Sequence, residues 1–170
     1  MSGRYEITIM RNNSIDIKNI TIFDLDGTVI DSTHRQVTKP DGTLDIANWL
    51  QNSTPEKIFG DSVLPLAQQI NKRSKRGDYV LVCTARNMTD ADFEFLMDNG
   101  INPHKIISRP VGNNTPDGEL KAKQLKQLFN LKQFKNANKV MFDDAPSVRS
   151  SLRKIGVAVI NPDKIARRVA

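Results

Sequence analysis

Five short apolar runs punctuate the chain: Ile20–Asp24, Tyr79–Thr84, Lys105–Ser108, Lys139–Asp143 and Gly156–Ile160. Most are continuous Val/Ile/Leu/Phe runs, not strict alternations, which is the pattern of strands covered on both faces. Between them the pattern predicts helices over about 62–75, 90–99, 118–129 and 146–155. In the first, Val63, Leu66, Ala67 and Ile70 recur at helical spacing, and Pro65 would sit in the first turn, where its missing N–H costs little. The second ends at Asn99-Gly100, a helix stop. In the third, Leu120, Leu125, Leu128 and Phe129 form one apolar face opposite lysines. Alternating strands and helices predict an α/β domain with a parallel sheet and helices on both faces.

Two stretches fall outside this alternation. Residues 1–19 precede the first core strand, and Tyr5–Met10 reads as an added edge strand. Residues 30–61 are polar and rich in turn formers, and read as an insertion or small lid after the first strand. A length of 170 residues suits a single domain, 1–170.

Composition narrows the class. Hydrophobic residues at 38% and charged residues at 26% fit a soluble globular protein and exclude a disordered one. No apolar run approaches the roughly 20 residues of a membrane span, and Met1–Met10 lacks a signal-peptide core. The expected compartment is therefore the cytoplasm, with no membrane partner. The lone cysteine, Cys83, excludes an intrachain disulfide and a cysteine zinc cage, and lies in an apolar run as a core residue would. The net charge of +6 arises wholly in residues 86–170, with fifteen basic and nine acidic side chains against ten and ten in residues 1–85. That asymmetry fits either an anionic partner or a solvated lysine-rich helix face.

Ligands of open α/β sheets bind beyond the carboxyl ends of the strands. There the first run ends Asp24-Leu25-Asp26-Gly27-Thr28, the second Thr84-Ala85-Arg86, and the fourth Asp143-Asp144, while the helix starting near Gly118 carries Lys121. Four acidic groups so close together need a positive counterpart. An all-oxygen ligand set points to magnesium and away from zinc. The cation would offset repulsion between a carboxylate nucleophile, Asp24, and an anionic phosphate. Lys121 and Thr84 would hold phosphoryl oxygens. Asp26 is placed to protonate a leaving group and then to deprotonate water. Gly27 lets the chain turn between them.

Asp-x-Asp-Gly-Thr after a hydrophobic strand, then Thr84, Lys121 and Asp143-Asp144 in that order, resembles the haloacid dehalogenase superfamily from about Ile20 to Ile160. The resemblance implies a Rossmann-like three-layer α/β/α sandwich with a five-stranded, mainly parallel sheet of order 3-2-1-4-5 and a small cap or none. It further implies an aspartyl-phosphate on Asp24, acid/base action by Asp26, phosphate binding by Thr84 and Lys121, and Mg²⁺ held by Asp24, Asp143, Asp144 and the Asp26 carbonyl. Within the superfamily the sequence is most similar to the 3'-phosphatase domain of phage polynucleotide kinase. An arginine follows the acid/base aspartate by nine residues (Arg35), another follows the hydroxyl residue by two (Arg86), and an aspartate precedes the lysine by four (Asp117). The resemblance makes Arg35, Arg86 and Asp117 substrate contacts. Ala145 departs from it, standing where that domain has arginine, and no nucleotide-binding Gly-x-x-x-x-Gly-Lys-Ser/Thr loop is present.

The expected activity is magnesium-dependent phosphomonoester hydrolysis on a nucleic-acid end bearing a 3'-phosphate or on a nucleotide. The alternatives are a small-molecule phosphatase for sugar or other metabolites and, in another class, a non-catalytic phosphate-binding or receiver-like module. Lys123 competes with Lys121 for the phosphate, but its spacing from Asp117 is less favourable. His34 lies near enough to the motif to touch substrate, and His104 reads as a loop residue. Trp49, with Ile46 and Leu50, reads as a packed lid or a base-stacking platform. Lys123, Lys126, Lys132, Lys135 and Lys139 read as a solvated face or a nucleic-acid track.

Overall fold

The computed structural model describes residues 16–169, so the expected edge strand at Tyr5–Met10 lies outside the described residues. The chain runs β1 (Asn19–Phe23), β2 (Ile30–Asp31), α1 (Ile46–Gln51), α2 (Pro55–Ile58), β3 (Ser62–Val63), α3 (Gln68–Lys75), β4 (Tyr79–Cys83), α4 (Asp90–Asp98), β5 (Lys105–Ile107), α5 (Asp117–Phe129), β6 (Asn138–Phe142), α6 (Pro146–Arg153), β7 (Ala158–Ile160) and α7 (Pro162–Val169). Five strands form one sheet in the order β5-β4-β1-β6-β7, every pairing parallel. Counted along the chain, these five core strands stand in the expected order 3-2-1-4-5. All five predicted strands are present: those at 79–84, 105–108 and 156–160 are trimmed by a residue or two, and those at 20–24 and 139–143 are shifted one residue toward the N-terminus.

β1 lies at the centre and explains its own sequence. Ile20 and Ile22 face one layer with Leu125, Leu128 and Leu152. Phe23 faces the other with Val80, Val82, Ile70 and Phe95. Both faces are therefore dry, which is why the run is apolar without a break. Thr21 is the polar exception inside β1. Its hydroxyl donates to Asp78 Oδ2 at 2.8 Å, and Arg76 closes on the same carboxylate, so the buried groups are satisfied.

One predicted helix is shorter than the spacing suggested. Residues 62–75 begin instead as β3, which pairs antiparallel with β2 in a small second sheet. A single 3₁₀ turn at Pro65–Ala67 follows, and the α-helix starts only at Gln68. Leu64 N–H bonds Val29 O at 2.9 Å, so ribbon pairing claims the backbone that a helix would need. Ala67 and Ile70 are buried as the spacing required, but Val63 is 40% exposed. The insertion after β1 is structured. Asp45 caps α1 by accepting from Asn48 N–H, and Thr54 caps α2 ahead of Pro55. No helix among the described residues is long and apolar enough to cross a membrane.

Candidate active site

Each predicted strand-end residue is the first residue past its strand, and its backbone is still tied to the sheet. Asp24 N–H donates to Phe142 O at 2.8 Å, Thr84 N–H to Ile107 O at 2.9 Å, and Asp143 N–H to Ile160 O at 3.1 Å. β1 lies between β4 and β6, so these three side chains meet at one point of the sheet edge. Lys121 joins them from α5. A Cβ on Gly118 would lie 2.5 Å from Ser151 Oγ, so glycine there lets α5 approach α6 closely and brings Lys121 over the strand tips. Lys121 is 2% exposed, while Lys123 points to solvent, which settles which lysine reaches the cluster.

The Lys121 ammonium donates to Asp24 Oδ1 at 2.6 Å and to Asp143 Oδ2 at 2.8 Å. Carboxylate oxygens of Asp24, Asp143 and Asp144 lie within 4.8 Å of one another. Burial lifts Asp24 well above the usual carboxylate range, with Asp143 and Asp26 adding to it against the pull of Lys121. Burial and Asp143 also raise Asp144. Lys121 loses some charge stability to burial but gains more from Asp24 and Asp143, and its net shift is upward. Three carboxylates against one ammonium leave two negative charges in excess, an arrangement that fits a divalent cation held by oxygen.

Asp26 stands apart from this trio. Arg86 grips it in a two-pronged pair, with Nε at 3.1 Å from Oδ2 and Nη2 on Oδ1, and Ser32 Oγ donates to Oδ1 at 2.6 Å. Arg86 is itself anchored by Asp92, which accepts from Nη1 at 2.6 Å and also takes the Thr89 N–H at the start of α4. Thr84 lines the same cleft, its Oγ1 accepting from Arg86 N–H at 3.1 Å.

Arg35 and Asp117 are placed less directly. Arg35 is 3% exposed and does not line the cleft. It makes a bidentate pair with Asp61 at 2.8 and 2.9 Å, and its guanidinium lies 4.2 Å from the centre of the Trp49 ring. Asp117 borders the cleft but is paired with Arg109 at 2.7 Å. His34 turns to Asp61 at 2.8 Å, and His104 Nδ1 accepts from Val80 N–H.

Three contributors escaped the sequence reading. Asp61 is a buried carboxylate that collects Arg35 and His34 and lies 3.9 Å from Arg86. Asp92 fixes Arg86. Arg109 pins the loop before α5 through Ala85 O, Asn113 O and Thr115 O at 2.7, 2.9 and 2.8 Å. Only Asp92 left a local signal, three residues after Thr89 at a helix start, where a carboxylate reaches back to the cap. Asp61 and Arg109 act through partners brought near by folding.

The cleft encloses about 850 Å³. Its inner end holds the acidic cluster. Its outer walls are α1, with Ile46, Trp49 and Leu50, and the loop around Val111. Lys132, Lys135 and Lys139 precede or begin β6, at the sheet edge opposite the cleft.

The family described as Bacteriophage T5 5'-deoxynucleotidase matches residues 10–169. A 5'-deoxynucleotidase of Escherichia phage T5 is 23% identical over 177 residues, covering 93% of this chain and 72% of its own. Among solved structures, a chain of a Pnkp1/Rnl/Hen1 complex superposes with a TM-score of 0.60 at 19% identity over 86% of this chain, which spans 46% of that one. A haloacid dehalogenase-like hydrolase from Streptococcus pneumoniae superposes with a TM-score of 0.57 at 12% identity, covering 90% of this chain and 99% of that one. The fold is thus that of haloacid dehalogenase-like hydrolases.

Proposed function

Because the chain belongs to the Bacteriophage T5 5'-deoxynucleotidase family, we propose that it is a magnesium-dependent phosphatase that removes the phosphate of a deoxynucleoside monophosphate through an aspartyl-phosphate on Asp24. The observation that carries this reading is the convergence of Asp24, Asp143, Asp144 and Lys121 beside a separately held Asp26. Asp24, Asp143 and Asp144 would hold Mg²⁺. The bound cation offsets repulsion between Asp24 and the incoming phosphate dianion.

The residues divide the work. A carboxylate oxygen of Asp24 attacks phosphorus, and the P–O bond to the sugar breaks as Asp26 gives its proton to the departing oxygen. Water then attacks the phosphorylated Asp24 and yields its proton to Asp26. Inorganic phosphate leaves, and Asp24 is restored. Lys121 and the Thr84 hydroxyl carry the phosphoryl oxygens. Arg86 and Ser32 fix the direction in which Asp26 points. Arg35 acts at one remove, by holding Asp61 and backing Trp49.

Two features favour a mononucleotide over a strand end. Among the described residues, the cations that line the cleft, Arg86, Arg109 and Lys121, are each paired with a carboxylate. Of the lysines that could track a polymer backbone, Lys132, Lys135 and Lys139 lie at the far edge of the sheet. The test is a substrate panel of deoxynucleoside monophosphates, 3'- and 5'-phosphorylated oligonucleotides and sugar phosphates, assayed for phosphate release. Release from the monophosphates that stops with chelator or with Asp24→Asn supports the reading. Wild-type activity in Asp24→Asn, or a preference for oligonucleotide ends that falls steeply with salt, refutes it.

A further inference from the structure

We propose that the outer half of the cleft is a nucleobase seat, formed by Ile46, Trp49 and Leu50 of α1 on one side and Val111 on the other. The inference rests on the nucleotidase reading of the inner half and assigns the part of the substrate that the reaction does not touch.

α1 presents Ile46, Trp49 and Leu50 at positions i, i+3 and i+4, which places them on one helical face. In most helices such a face is buried. Here it lines the cleft, with Ile46 57% and Leu50 59% exposed, and α1 contributes no buried residue. Val111, on another segment lining the same cleft, is 95% exposed. Single exposed apolar residues are ordinary, but an apolar patch that lines a polar-rimmed cleft marks a binding groove.

Both walls are held in place. Asp45 caps α1, and Ser53 Oγ donates to Trp49 O at 2.8 Å. The guanidiniums of Arg35 and Arg86 lie 4.2 Å and 5.0 Å from the centre of the Trp49 ring. The Val111 loop is tied down by Arg109 and by Asn87, whose Nδ2 donates to Arg109 O and Pro110 O. A flat apolar ring entering between Val111 and α1 would cover surface that is otherwise wet, without ordering a loop to do so.

The occupant follows from continuity. One cleft of about 850 Å³ runs from the acidic cluster to these apolar walls, far more space than a phosphoryl group fills. Its size suits a small ligand with one charged end and one apolar, flat end. The walls offer faces and not a fixed set of hydrogen-bonding edges, so the seat favours base over no base more than it favours one base over another.

Trp49 is the chain's single tryptophan, so its fluorescence reports on the seat directly. The full chain carrying Asp26→Asn, with magnesium, is titrated with a deoxynucleoside monophosphate, deoxyribose 5-phosphate and an alkyl phosphate. The expected result is a Trp49 signal with the nucleotide and binding at least about tenfold tighter than that of deoxyribose 5-phosphate. Adding Ile46→Ser with Leu50→Ser, or separately Val111→Ser, should erase that preference. These side chains are exposed, so the fold does not depend on them. Equal binding of the nucleotide and the base-free sugar phosphate overturns the proposal, as does an alkyl phosphate that matches the nucleotide, or variants that keep the preference. The titration needs no turnover, so a failure of the nucleotidase reading would appear in the release assay alone.

Discussion

Gly27 carries a sharp test of how the acidic cluster is built. Its φ is 73°, in the left-handed region, and its N–H closes a turn onto Ile30 O at 2.9 Å. A Cβ at this position would fall inside contact distance of Asp144 Oδ2 and lie 3.1 Å from Asp144 Cγ. Gly27→Ala therefore does two separable things. The left-handed backbone costs about 1–2 kcal/mol for a residue with a Cβ, which at this chain length lowers Tm by about 2–8 °C. The methyl group also pushes the Asp144 carboxylate out of the cluster. Displacing a metal-site group of this kind costs about 10–100-fold in metal affinity. The assay is phosphate release titrated with magnesium, beside a thermal melt in chelator. In an Asp144→Ala background the three atoms nearest the methyl group are gone, so Gly27→Ala should then lower Tm while leaving the magnesium midpoint where Asp144→Ala alone puts it. Additive losses in metal affinity, or a wild-type midpoint in Gly27→Ala, would refute the reasoning.

Three further outcomes follow from the same structure. Asp61→Ala strands the buried Arg35 guanidinium and should cost about 3–5 kcal/mol by denaturant unfolding; a loss below about 1 kcal/mol would show that the pair is not what holds the insertion. In metal-free protein, Asp24 and Asp144 hold protons in the folded state that the unfolded chain has already released, because burial raises both. Between the ordinary carboxylate value and the raised ones the folded state binds more protons, so these groups make stability fall as pH rises, and magnesium should add more to Tm at about pH 7.5 than at about pH 5. Burial pushes the Cys83 thiol up to about 12, so native protein should leave a thiol reagent unreacted until it is denatured.

The parts legible in the sequence are those in which function depends on position along one element. Asp24, Thr84 and Asp143 sit at the ends of strands whose apolar runs announce themselves, and a parallel sheet must bring such ends to one edge. Lys121 was legible for a similar reason, one helical turn after Asp117 on a helix of clear periodicity. What stayed hidden depends on partners far apart in sequence. Arg35 carries the right spacing for a substrate contact, yet a carboxylate 26 residues away claims it. Residues 62–67 have helical spacing, yet a two-residue ribbon with β2 takes their backbone. Trp49 read as a packed lid ahead of a stacking platform, but the choice turns on what folding sets against its ring, and the guanidiniums of two arginines from separate segments lie there.

The distribution of cations sets two aspartates only two residues apart in sequence in different surroundings. Asp24 shares one ammonium with Asp143, and with Asp144 beside them the group keeps an excess of negative charge. Asp26, a turn further on, faces a guanidinium that is itself braced by Asp92 and lies near Asp61. An excess of negative charge attracts a divalent cation and, through it, a phosphate. A carboxylate already matched by its own arginine has no such need, and stays outside that cluster. The insertion after β1 supplies Asp61, Ser32 and Trp49 around that arginine. The segment that walls the outer cleft thus also orients Asp26, the proposed acid/base group, so substitutions around Trp49 should alter turnover as well as substrate preference.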